Sequence, residues 1–346
     1  MIDLTCHHLF DGGMGTMLQR AGLRAGEVPE RLNLTAPATV ESIHRAYVQA
    51  GADILTANTF GANRRKMGEN PAPYIAAGVV LAKRVGAEAG AYTALDVGPL
   101  GALLEPFGDV SFADAYDMFA EVMAAGEQAG ADLILIETMG DLLEAKAALL
   151  AAKEHTGLPV FVTMTFGEDG RTFLGTDPAA TAVTLTALGA DAVGLNCSVG
   201  PRELRPVLGE LLRATHLPVV VQPNAGLPQL AEGETVYDVG PEEFARWAEL
   251  FLEDGAAILG GCCGTTPEHI RALRPLLEGR EPVRRAEGEE RCRLCGWQGV
   301  VELDLDSIAT VGERMNPTGR PLMKEALYAG DWEAAAEAAV WQEQEG

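Results

Sequence analysis

Basic residues are scarce in this sequence: 26 Lys and Arg face 50 Asp and Glu, a formal net charge of −24. Binding a phosphate backbone depends on cations that displace counterions, and an anionic membrane surface attracts basic segments. The charge balance therefore excludes nucleic acid and membrane surfaces as partners. Long apolar runs are missing too, since none approaches the ~18 residues of a membrane span. Met1–His8 lacks the basic and apolar regions of a secretory signal. Six cysteines in 346 residues are too few for a disulfide framework, which points to a reducing cytoplasm with thiols free for chemistry. The six histidines, His7, His8, His44, His155, His216 and His269, form no ligand cluster. A hydrophobic content of 47% is enough for a large core without disulfide or metal staples.

What is present is a repeat. Ala50-Gly51-Ala52-Asp53 precedes the apolar run Ile54–Asn58, and Ala129-Gly130-Ala131-Asp132 precedes Leu133–Glu137. Gly189-Ala190-Asp191 and Asp254-Gly255-Ala256 stand before Ala192–Cys197 and Ala257–Gly261 in the same way. Glycine just past a helix takes the left-handed cap, and continuous apolar runs fit parallel strands covered on both faces. Four more strands are expected at His8–Gly12, Ala91–Val97, Val160–Thr165 and Val219–Asn224. The spacing predicts helices over Ser111–Ala129, Asp141–His155 and Pro241–Asp254, with helix starts at Asp177-Pro178 and Gly240-Pro241. Eight β-then-α units over roughly 280 residues predict an α/β fold of (β/α)8 TIM-barrel type. An open, doubly wound sheet is the alternative. In a barrel, chemistry sits at the C-terminal ends of the strands.

Three cysteines fall at that rim. Cys197 ends the sixth strand, and Cys262 and Cys263 follow the eighth within Gly260-Gly261-Cys262-Cys263-Gly264. Neighbouring residues of a strand point to opposite faces, so adjacent cysteines share a metal only where the chain turns. Gly260, Gly261 and Gly264 supply that freedom, and Thr265-Thr266-Pro267-Glu268 then reads as a capped helix start. Three thiolates suit Zn2+ with a fourth position open, the pattern of a catalytic site. Their combined charge favours holding another thiolate over activating water for hydrolysis. Buried apolar cysteines, or a strained vicinal disulfide between Cys262 and Cys263, are the plain alternatives.

These residues resemble the homocysteine S-methyltransferase family over about residues 7–280. The resemblance is carried by Asp11-Gly12-Gly13-Met14-Gly15-Thr16, Asn196-Cys197 and Gly260-Gly261-Cys262-Cys263-Gly264. It implies zinc on Cys197, Cys262 and Cys263, and methyl transfer to homocysteine. It implies further that Asp11 and Glu137 hold the substrate's ammonium group, and that backbone around Gly12, Gly13 and Thr59 cradles its carboxylate. Asn224 lies where a side-chain oxygen completes the zinc shell before substrate arrives.

Past the barrel (residues 1–280) the composition changes. Residues 281–305 read as a charged linker, and Cys292-Arg293-Leu294-Cys295 has the spacing of half a zinc knuckle but lacks a second pair. Ile308–Gly319 is similar to the opening of the folate (pterin-binding) module that follows the homocysteine module in cobalamin-dependent methionine synthases. Residues 306–346 are then the incomplete start of such a module, with one or two helices over Ala326–Glu345. On this resemblance the methyl donor is methylcobalamin, carried on a separate cobalamin-binding module. A stand-alone enzyme using S-methylmethionine or betaine, a zinc-dependent lyase or hydrolase, and an inert scaffold are the rival readings.

Overall fold

In the computed structural model, residues 2–24, 26–231, 234–285, 292–296, 299–303, 306 and 316–345 are described. Eight strands run parallel: β1 (His8–Leu9), β2 (Ile54–Thr56), β3 (Tyr92–Val97), β4 (Leu133–Met139), β5 (Val160–Met164), β6 (Ala192–Asn196), β7 (Val219–Gln222) and β8 (Ile258–Leu259). They pair in the order β1-β8-β7-β6-β5-β4-β3-β2. The ring closes between its two ends through a parallel bridge of Phe10 with Ile54. There Asp11 N–H donates to Ile54 O (3.0 Å) and Asp53 N–H to Leu9 O (2.7 Å). That closure is a barrel and rules out the open sheet.

Each strand is followed by a helix, and the expected ones lie at Phe112–Gln128, Leu142–His155 and Pro241–Asp254. Asp177 caps the helix Pro178–Ala187 by accepting from Ala180 N–H, with Pro178 at its first position. The glycines of the repeat have positive φ, from +85° at Gly189 to +115° at Gly255, as left-handed caps require.

The aspartates of that repeat have a job of their own. Asp53 accepts the Leu9 N–H (2.9 Å), Asp132 the Thr93 N–H (2.8 Å) and Asp191 the Val160 N–H (2.8 Å). Each thus satisfies the first backbone donors of the preceding strand at the barrel's underside, where an unpaired N–H would be costly. On the same underside, Arg285 donates to Thr215 O (3.2 Å), Gly255 O (3.0 Å) and Leu217 O.

Strand residues are buried on both faces. Phe10, Ile54, Ala94, Leu133, Leu135, Phe161, Ala192, Val220 and Ile258 form an inner cluster, in which Phe10 and Phe161 meet edge to face at 6.3 Å. Leu55, Leu95, Ile134, Val162, Val193 and Val221 belong to the outer layer packed against the helices. Strand alternation separates the two sets.

Two glycines after β8 differ from the sequence expectation. Gly260 and Gly261 are absent from the positive-φ positions, and only Gly264 (φ +81°) uses the left-handed region. What the first two provide is room. A Cβ on Gly260 would lie 2.7 Å from the Phe10 Cβ, and one on Gly261 would lie 2.5 Å from Thr265 Oγ1.

Packing divides the chain into two units, residues 1–288 with 295–300 and residues 289–294 with 301–346. The second contains the helices Pro321–Ala329 and Trp332–Glu345, with Gly330 (φ +68°) between them. The tail motif expected at Ile308–Gly319 lies outside the described residues up to Met315. No helix among the described residues is long and apolar enough to cross a membrane.

Because the Phe10 Cβ cannot rotate away, Gly260→Ala should force backbone movement in β8. We expect a loss of roughly 1–3 kcal/mol, the usual cost of overpacking a dense core, readable as a lower urea midpoint. An unchanged midpoint would show that the ring has slack at this seam.

Candidate active site

The three cysteines converge. The Sγ atoms of Cys197, Cys262 and Cys263 lie within 4.8 Å of one another, and the Cys197–Cys263 pair is at 4.0 Å. Three sulfurs bound to one tetrahedral zinc at ~2.3 Å would stand roughly 3.8 Å apart, so the cluster has the size the ion needs. All six cysteines are free thiols, including the neighbours Cys262 and Cys263.

The thiols are not equivalent. Hydrogen bonds from Cys262 and Cys263 pull the Cys197 thiol down to about 3, against the effect of burial. The same bonds leave the proton on the other two. Cys262 is pushed up by its bond to Cys197, and Cys263 is pushed up to about 12 for the same first reason. One negative charge is therefore shared among three sulfurs, and ionising all three calls for a nearby cation.

Backbone strain and buried amides hold this arrangement. Thr138, Cys197 and Ser198 are the non-glycine residues with positive φ (+62°, +61° and +61°) among those described, and all three sit at the rim. Such outliers persist only where surrounding contacts over-determine them. The Cys197 N–H is held by Gln222 O (3.1 Å), and Asn196, fully buried, supplies those contacts at Thr138. Its Oδ1 accepts from Thr138 N–H (2.9 Å) and the Thr163 hydroxyl (2.9 Å). Its Nδ2 donates to Thr138 Oγ1 (2.8 Å), Glu137 Oε2 (3.4 Å) and Cys262 Sγ (3.9 Å). Asn224 Oδ1 accepts the Cys263 N–H (3.1 Å) and its side chain also bonds to Cys197.

The loop after β1 is tied to the loop after β8. Gly13 N–H donates to Thr265 Oγ1 (3.0 Å), Gly264 N–H to Thr16 Oγ1 (2.9 Å), and the Tyr47 hydroxyl reaches Thr265 O (3.2 Å). Tyr237 packs where a Cβ on Gly264 would come within 2.3 Å of its ring, and its hydroxyl bonds to Cys263.

Beside the sulfurs is a cavity of about 260 Å3, lined by Asp11, Gly12, Gly13, Asp96, Glu137 and Gln222 among others. It is acidic. Asp11 is buried, with Oδ2 accepting from Thr56 N–H (2.9 Å) and Oδ1 from the Thr56 hydroxyl (2.8 Å). Burial pushes its carboxyl up to about 7 despite these bonds. Burial, then the charges of Cys197 and Asp11, push Glu137 up to about 8. Asp96 is raised well above the ordinary range by burial, then by Glu137 and Asp11. A cation entering the cavity would be met by all three.

Most residues expected from sequence meet here: Cys197, Cys262, Cys263, Asp11, Gly12, Gly13 and Glu137 line one cavity, with Asn224 bonded to the cysteines. Thr59 behaves differently. Its N–H is engaged by Ala57 O (2.7 Å), while its hydroxyl donates to Asp96 O (2.8 Å) and accepts from Asp96 N–H (3.2 Å). It positions the end of β3. Sequence reasoning missed Asp96 altogether and gave Asn196 no role of its own. The signal was phase: Asp96 is two residues past the inward Ala94, and Asn196 is four past Ala192.

The family profile described as homocysteine S-methyltransferase matches residues 8–277. This chain belongs to the homocysteine S-methyltransferase family. Within the family it is similar to methionine synthase of Mycobacterium tuberculosis, 35% identical over 358 residues that cover 97% of this chain and 30% of that protein. Methionine synthase of Mycobacterium leprae is 34% identical over the same shares. The chain thus spans about 30% of the length of these curated relatives. Its fold is like that of a solved structure, the metallated form of the Escherichia coli homocysteine methyltransferase MmuM. There the TM-score is 0.66 at 23% identity, covering 78% of this chain and 96% of that one.

Two outcomes follow for this family member. Zinc binding near pH 7 should release about two protons, those of Cys262 and Cys263, because Cys197 is already ionised. Zinc affinity should accordingly fall as pH falls, since protons compete for the sulfurs. Calorimetry in buffers of different ionisation enthalpy measures the count, and a count near zero would contradict the shared-charge description. Separately, Asn196→Ala should cost about 1–3 kcal/mol for each buried donor left unpaired and lower zinc affinity about 10–100-fold. Urea melts and chelator competition read the two effects independently.

Proposed function

We propose that this chain is the homocysteine module of a cobalamin-dependent methionine synthase, transferring a methyl group to the homocysteine sulfur to give methionine. The observation that carries the reading is the three-thiol cluster beside an acidic, buried cavity. The length of the methionine synthase relatives supports placing it in a larger enzyme with cobalamin-binding and folate-binding modules in a cytoplasmic setting.

Cys197, Cys262 and Cys263 would hold Zn2+, and the ion would keep a bound thiol deprotonated at neutral pH. The chain's own residues do the rest. Asp11 and Glu137 meet the α-ammonium group of homocysteine. Its carboxylate falls to Gly12 and to the first turn of the helix Met14–Arg20, whose early N–H groups precede the first intrahelical bond (Met17 N–H to Gly13 O, 3.1 Å). Gly13 and Thr59 support that cradle indirectly, since their own N–H groups are already engaged. Asn224 holds the Cys263 turn through its oxygen, and a second lone pair on that oxygen suits it to fill the zinc shell when substrate is away.

Because the zinc-loaded cluster would carry three sulfur charges, it favours a soft thiolate partner and disfavours the hydrolase reading. X-ray absorption at zinc should show three sulfurs before homocysteine is added and four afterwards. A shell unchanged by homocysteine would sink the proposal. Single-turnover assays with methylcobalamin, S-methylmethionine and betaine should give methionine from methylcobalamin. Transfer from either of the others instead would point to a stand-alone enzyme.

A further inference from the structure

Of the cavity's carboxylates, Glu30 is bound to the Gly61 N–H, and Asp96 is the other that the proposed reaction leaves unused. It lies near the end of β3, in phase with the inward Ala94, and is 6% exposed. Its backbone is clamped on both sides by the Thr59 hydroxyl. Its side chain is not. Asp96 Oδ1 is buried with no hydrogen-bond partner. Six buried side-chain polar atoms among the described residues share that condition, and two belong to residues lining this cavity: Asp96 Oδ1 and Gln222 Oε1.

An orphaned buried acceptor costs about 1–3 kcal/mol, and more when the group is charged. A barrel that wraps the Asp96 backbone so closely does not lack the means to satisfy its side chain. The other three acids of the cavity each hold a protein partner and keep further lone pairs: both Asp11 oxygens accept from Thr56, Glu137 Oε2 faces the Asn196 amide, and Glu30 Oε1 accepts the Gly61 N–H. Lys66, a cation acting on Asp96, sits over the Phe60 ring at 5.0 Å rather than on the carboxylate. Asp96 itself lines the ligand cavity, with that acceptor unmet by any protein group.

We propose that Asp96 is a specificity-determining residue of this site, the third acceptor of a carboxylate cage that selects thiols bearing an α-ammonium group. An alkylammonium carries three N–H donors, and Asp11, Glu137 and Asp96 offer it one acceptor each. This inference rests on the homocysteine reading of the site. It adds that discrimination between an amino-acid thiol and a plain thiol acid resides in Asp96.

The test is calorimetric titration of the zinc-loaded chain with L-homocysteine and with 4-mercaptobutanoate, which lacks only the amino group. The wild type should bind homocysteine more tightly. Asp96→Asn keeps the shape and removes the charge. It should weaken homocysteine about 10–100-fold, as loss of a charged hydrogen bond does, and leave 4-mercaptobutanoate within about twofold. Asp96→Ala should do the same, which guards against a fold defect peculiar to the amide. Zinc content and the melting temperature of both variants should not fall, since an unpaired buried acid is removed. Equal weakening of the two thiols, or unchanged discrimination, would overturn the assignment. Failure of both thiols to bind the wild type would overturn the homocysteine reading itself, and Asp96 with it.

Discussion

In a closed barrel a strand has one face toward the axis and one toward the helices, and successive residues must take them in turn. Everything at the rim of this protein follows from that constraint. The positions that pack Ile54, Ala94, Leu135, Phe161, Ala192 and Val220 inside the ring carry Thr56, Asp96, Glu137, Thr163, Asn196 and Gln222 at the same phase higher up. Apolar residues fill the interior until it is sealed. The polar ones above them then have nowhere to go but toward one another.

That convergence creates a charge problem which the local geometry organises without removing. Asp11, Asp96 and Glu137 share a buried space with one thiolate, and burial raises each of these carboxyls. Hydrogen bonds from Cys262 and Cys263 concentrate the sulfur charge on Cys197, and strained backbone at Thr138 is tolerated because Asn196 bridges the ends of β4, β5 and β6. Such a site is short of positive charge in two places at once, beside the sulfurs and beside the acids. A divalent ion and an ammonium group answer those two needs separately, which is why a zinc-binding amino-acid thiol fits it better than a neutral substrate.

Much of this was legible in the sequence. The Gly-Ala-Asp repeat announced the βα units, and the glycines are the left-handed caps they were expected to be. The aspartates of the repeat serve neighbouring strands, a pairing that only strand order reveals. Cys262 and Cys263 were readable because adjacent cysteines between glycines have few other uses. Asp96 was not readable, because one acid at the end of an apolar strand looks like a solvated terminus until the register puts Ala94 on the axis. Thr59 was expected to lend its backbone to the carboxylate cradle; that its hydroxyl secures the backbone of Asp96 in β3 was not legible.

The sequence by itself determined the architecture and the three cysteines of the proposed metal site. Both rest on local rules, namely the caps that end helices, the continuous apolar runs that suit buried parallel strands, and the affinity of thiolates for zinc. Only the tertiary structure decided which oxygen atoms are left open and which glycines are needed for space. Those depend on how loops after β1, β3 and β8 approach one another across the ring, distances that no stretch of neighbouring residues encodes.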